Sequence, residues 1–203
     1  MLGTKLLQTS TMIGAMVLAP ALSMAAGPCV ASPKAPDSYN WGSSQRAFNL
    51  LEALREDAQQ VGHYASALEN LQNAPSAWKD RARQLERVEA EINEIRKRLC
   101  RLGVIQNGIV PAELNAMHHA APLVQGMTND IDDAIYYLDT HRGAAWATSY
   151  QRYVRNLDTE ADTLARAMDR YEVLANAQNR EMYLAKNGSL LHENLGMLMV
   201  FGK

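Results

Sequence analysis

The sequence predicts an all-α protein: a four-helix up-down-up-down bundle, or antiparallel coiled coil, with one long C-terminal helix and a cleavable signal peptide in front. Three observations predict it. From Ala144 to Lys186 the apolar and small residues Trp146, Tyr150, Tyr153, Leu157, Ala161, Leu164, Met168, Tyr171, Ala175, Met182 and Ala185 recur in alternating steps of four and three. Gln178 is the one clearly polar residue in that series. Such a repeat keeps one seam of a helix against a partner. Three shorter upstream segments repeat the same pattern and can cover the seam. No pair of alternating strand-like runs joined by a tight turn interrupts them.

Composition bounds the reading. The chain has 203 residues, enough for one ordinary domain or one long bundle. Hydrophobic residues make up 47% and charged residues 21%, which argues against a disordered chain. A net charge of −2 provides no bulk attraction to nucleic acid. Ten methionines and eight tyrosines against two phenylalanines suit seams with irregular gaps and wet edges.

Residues 1–25 read as an export signal. Lys5 is the early positive charge, Leu6 to Leu22 is mostly apolar, and Ser23-Met24-Ala25 puts small residues at both recognition positions of a cleavage site. Gln8, Thr9, Ser10 and Thr11 dilute the apolar run, which favours a removed signal over a membrane anchor. The expected location is therefore periplasmic or secreted. A lipid anchor through Cys29 is the alternative, opposed by Pro28 in the place where lipoprotein signals put a small residue. Residues 26–42 form a Pro- and Ser-rich leader expected to be extended, because each proline disfavours helix in the residue before it.

The bundle is expected over residues 43–188. Ser43 or Ser44 can cap the first helix, whose seam is Ala47, Leu51, Leu54, Ala58, Val61, Ala65 and Leu68. Asn73-Ala74-Pro75-Ser76 is a turn. The second helix carries Trp78, Ala82, Leu85, Val88, Ile92, Ile95, Leu99 and Leu102 and should end at Gly103. Arg96, Lys97, Arg98 and Arg101 gather in its last turns, where cations suit the helix dipole. A connection follows to Pro111, which suits the first position of a third helix. That helix has the seam Leu114, Met117, Ala121, Val124, Thr128, Ile131, Ile135 and Leu138, and Pro122 predicts a kink or a late start. Thr140 to Gly143 turns into the long helix, which should stop at Lys186-Asn187-Gly188. Residues 189–203 are an apolar tail, including Met197 to Phe201, too short to cross a bilayer.

Chemical motifs are sparse. The chain has no Glu-x-x-His, no His-x-x-x-His, no Cys-x-x-Cys-His, no Gly-x-Ser-x-Gly and no phosphate-cradling loop. No catalytic set, cofactor site or metal site is therefore assigned. His118 and His119 are adjacent, and neighbours on a helix point about 100° apart, so one metal cannot easily take both. His118 or His141 with a methionine could hold non-covalent haem. Tyr136, Tyr137, Tyr150, Tyr153 and Trp146 gather aromatics near the third turn, where a capped bundle end is the simpler reading.

Export would place Cys29 and Cys100 in an oxidising compartment, where a pair of cysteines is usually a disulfide. The expected function is that of an exported, non-enzymatic helical protein acting through its surfaces: an envelope adaptor, chaperone-like or secretion accessory protein. A protein partner or self-association is expected, with no nucleic acid and no transmembrane span in the mature chain. The alternative is a periplasmic four-helix bundle binding haem or a transition metal.

Overall fold

The computed structural model describes residues 40–71, 78–141 and 148–200, with residues 187–200 described by backbone alone. The signal peptide, the leader as far as Tyr39 with Cys29, the Asn73 to Ser76 turn, Trp146 and the last three residues lie outside this set. The described residues are all-helical, with four helices packed against one another: α1 Trp41–Asn70, α2 Trp78–Ile105, α3 Pro111–Thr140 and α4 Thr148–Val200. A short 3-10 turn, Gln106–Gly108, links α2 to α3. The principal pairs are α1 with α4, α3 with α4, α1 with α2, and α2 with α3.

The seam of α1 is buried as the repeat requires: all seven expected residues, Ala47 through Leu68, have no exposed surface. On α2, Leu85, Val88, Ile92, Ile95, Leu99 and Leu102 are buried, whereas Trp78 and Ala82 are half-buried. Leu157, Leu164 and Met168 of α4 are fully buried and join Leu54, Leu85 and Ile131 in a single apolar core. Full burial of a leucine or isoleucine stabilises by about 1.5–3 kcal/mol, so this core dominates the fold.

Partner residues fall in number along one helix as they rise along the other. Ser44 bonds Asn179, Gly62 lies against Asp158 and Ala161, and Ser66 bonds Asp158. Across α3 and α4, Glu113 meets Asn179 and Asp130 meets Asn156. Asp57 of α1 takes Arg98 of α2 in a two-point ion pair at 2.5 and 3.3 Å.

Four expectations need correction. α1 is capped by Asn40, whose Oδ1 accepts from the Ser43 N–H at 3.2 Å, so the helix begins ahead of Ser43. α2 runs past Gly103 to Ile105; Gly103 is buried, and one helical glycine costs only about 1 kcal/mol. α3 starts at Pro111 and continues past an exposed Pro122, so there is no late start. Its buried stripe is broader than a strict seam: Ala116, Ala120, Met127 and Ala134 are buried, while Leu114, Ala121, Thr128 and Ile135 are half-buried. A helix in contact with two neighbours needs such a wider stripe, and alanine lets both approach closely.

The fourth correction concerns α4. It does not stop at Lys186-Asn187-Gly188 but runs 53 residues, to Val200. No described glycine adopts positive φ, so Gly188 does not form the left-handed cap that the sequence suggested. At 1.5 Å per residue α4 is roughly 80 Å long, against roughly 45 Å for the 30 residues of α1. Gln178 of α4 lies at the level of the α3 start and Tyr183 at that of the α1 start, so the helix continues past both. No helix among the described residues is long and apolar enough to cross a membrane.

Candidate functional site

The most structured polar feature is a joint where the first turns of α1 and α3 meet α4. Its construction starts from the N–H groups that any helix leaves unbonded at its start. At the start of α3, Pro111 has no N–H to satisfy. The Val110 N–H donates to Glu113 Oε2 at 2.9 Å, the reach-back bond of a capping box. The Ala112 N–H donates across to Gln178 Oε1 of α4 at 2.9 Å. The start of α1 is tied to the same place: the Asn40 N–H donates to the Gly108 carbonyl at 3.2 Å. A Cβ on Gly108 would lie 2.9 Å from the Ser43 Cβ, so a glycine is what lets the two backbones approach.

Three fully or nearly fully buried polar side chains fill the interior of this joint. Glu113 and Ser44 are 0% exposed and Asn179 is 7% exposed. Ser44 Oγ lies 2.8 Å from both Glu113 carboxylate oxygens and 2.5 Å from Asn179 Oδ1. Asn179 Nδ2 donates to Glu113 Oε1 at 3.2 Å. Burial pushes the Glu113 carboxyl above its usual range, and the bonds from Val110, Ser44 and Asn179 only partly oppose this.

Proton counting favours the neutral acid. Ser44 has one proton to donate and two kinds of acceptor beside it. If Glu113 is ionised, either the carboxylate or Asn179 Oδ1 faces the serine oxygen without a proton between them. If Glu113 is protonated, its O–H donates to Ser44 Oγ and Ser44 donates to Asn179 Oδ1, which leaves one contact without a proton instead of two. The arrangement is a three-helix clasp. Its chemistry is that of holding α1, α3 and α4 in register.

The opposite end differs. Arg81 is 3% exposed, and its Nη2 donates to the Leu71 carbonyl while its Nε has no partner among the described residues. Tyr150 is 1% exposed, its hydroxyl is likewise unpartnered, and burial pushes its phenol up to about 12. Between the two ends, Glu160 occupies space left by Gly126: a Cβ there would lie 2.2 Å from Glu160 Oε1. Burial, with the nearby charge of Asp130, raises the Glu160 carboxyl to about 7.

The residues singled out by sequence are placed as follows. Cys100 is half-buried near the end of α2, and its expected partner Cys29 lies outside the described residues. His118, His119 and His141 are exposed; His119 lies beside Tyr171, and His141 stacks on Tyr137 at 4.4 Å. No group of three or more His, Cys, Asp or Glu side chains able to hold a metal occurs among the described residues. Tyr137 and Tyr150 are neighbours at 6.2 Å, whereas Tyr136 is exposed. Arg98 and Arg101 line a groove of about 560 Å³ with Arg46, Leu50, Val104 and Ile105, between α1 and α2.

The clasp was missed at the sequence level, although two signals marked it. Pro111 followed by Glu113 is a helix-start pattern, and the polar Gln178 in an otherwise apolar seam, with Asn179 next to it, marked where α4 meets something polar. The chain matches no protein-family model, no curated protein and no solved structure.

Proposed function

We propose that this is an exported, non-enzymatic helical protein that acts through its surfaces, as an adaptor, chaperone-like or secretion accessory protein in the periplasm or outside the cell. In this reading residues 1–25 are removed as a signal peptide, the helices run up-down-up-down, and Cys29 bonds Cys100 to hold the leader against the end of α2. The bundle serves as a base, and the clasp of Ser44, Glu113 and Asn179 fixes the angle at which α4 leaves it.

The observation that carries the reading is the length and outer face of α4. It runs 53 residues, and on its way out of the bundle it exposes Val173, Leu174, Tyr183 and Leu184, each more than half exposed. Large apolar side chains concentrated on one exposed helix are what a partner surface requires. A photocrosslinking residue at Val173 or Leu184, introduced one at a time in the native envelope, should give protein adducts. The same residue at Asp132, on the outside of α3, should give none. Equal labelling at all three positions, or none at any, overturns the reading.

A further inference from the structure

We propose that the partner of the α4 extension is a second copy of the same chain, paired with it in parallel and in register. The proposal rests on α4 being the interaction face and names the occupant of that face.

The sequence of the extension repeats every seven residues. Leu184, Leu191 and Leu198 stand at one heptad position, and Asn187 and Asn194 stand at the position three further on. Because helix continues to Val200, a seven-residue step returns to nearly the same face. Leu184, the first of the series, is 59% exposed. The repeat begins where α4 passes the start of α1, marked by the contact of the Trp41 and Tyr183 rings at 5.5 Å. The described parts of α1 and α3 therefore do not reach the rest of it.

Two features select an identical partner over an unrelated one. First, asparagine repeated inside a leucine seam is costly against any apolar surface, but identical helices in register place each asparagine beside its own copy, where the amides bond each other. An antiparallel pairing, or an apolar groove on another protein, would set these amides against leucine. Second, the flanking heptad positions carry Tyr183, Gly188, Leu190, Leu195 and Met197, none of them charged, so two copies meet without like-charge repulsion. A lone helical extension of this length is also marginal in water, and pairing supplies what it lacks.

The test uses the mature full-length protein. Sedimentation equilibrium should show concentration-dependent self-association. Leu184→Glu and Leu191→Glu should each weaken it about tenfold or more, because a carboxylate would be desolvated in the seam. Leu184 is exposed in the single chain, so melting of the bundle that matches wild type at dilutions where both are monomeric separates lost association from lost folding. Orientation is read by mixing Leu184→Cys and Leu198→Cys proteins under mild oxidation: each should link to its own kind. Links between the two kinds would show antiparallel pairing and overturn the proposal. So would a wild type that stays monomeric across the accessible concentration range, or association that the glutamate variants leave intact. A monomeric protein that still crosslinks from Leu184 to a different protein removes the second-copy proposal and leaves the interaction face standing. If the glutamate variants instead abolish binding to lipid vesicles by a monomeric wild type, the occupant is a membrane surface, and both readings fall.

Discussion

The two ends of the bundle handle buried polarity differently, with Gln106 Oε1, in the turn before α3, the one clasp-end atom that also lacks a described partner. At the start of α1 and α3, Ser44, Glu113 and Asn179 bond one another and tie the Val110 N–H. At the other end, Arg81 and Tyr150 are as deeply buried, yet one nitrogen of the first and the hydroxyl of the second lack described partners. A satisfied buried network specifies one arrangement of its helices, because any shift breaks several bonds together. A buried group with an orphaned atom specifies little and carries a desolvation cost. The clasped end should therefore be the one that sets register, and the Arg81 end the one that tolerates change.

Four substitutions break or sharpen that contrast. The largest effect is expected for Glu113→Ala, which orphans the Val110 N–H and takes one partner each from Ser44 and Asn179. It should lower stability by about 3–5 kcal/mol in denaturant melts. A loss below about 1 kcal/mol would mean that the joint is wet. Gly108→Ala comes next. Its Cβ would press on the Ser43 Cβ, which cannot swing aside as a side-chain tip could, and about 1–3 kcal/mol should be lost.

Glu160→Gln tests the middle of the bundle through pH. The folded carboxyl titrates at about 7 against an ordinary value of 4.5, so between these the folded state holds a proton that the unfolded state has released. Stability from this group is complete below about 4.5, falls as pH rises towards 7, and stays lower above it. Glutamine abolishes that slope. The variant should gain on the order of 1 kcal/mol relative to wild type above pH 7, allowing for partial solvent access. It should show no such gain at pH 4. A gain that does not depend on pH would remove the titration account.

The smallest effect belongs to Tyr150→Phe at the unclasped end. Deleting an unpartnered buried hydroxyl should leave stability within about 1 kcal/mol, on the stabilising side. A marked loss in thermal melts would reveal a partner for the hydroxyl and erase the contrast between the ends.

How legible each part was depends on what the local pattern records. The α1 seam was readable in full because small and branched apolar residues alternate in steps of three and four without exception from Ala47 to Leu68. The α3 seam was readable only in part, since a helix that serves two neighbours buries a broader stripe and its alanines fit several registers. The stop at Gly188 was misread because glycine permits a left-handed cap without requiring one. The clasp was hidden for another reason: Ser44 reads as a helix cap, Glu113 and Asn179 belong to no apolar seam, and only the meeting of three distant segments makes them interior. Cys29 and the turn around Pro75 lie outside the described residues.

The contact of Trp41 with Tyr183 has a mechanical consequence. It puts the beginning of α1 and the outgoing part of α4 side by side at one pole. Tension that separates residue 40 from residue 184 would load the molecule as a peel, opening α1 from α4 at Ser44 and Asn179 before reaching Gly62 or Ser66. A peel breaks its bonds one after another, whereas pulling along the bundle axis would strain them together. The clasp thus sits where a pull between these two points is first felt, and Arg81 and Tyr150 sit where it arrives last.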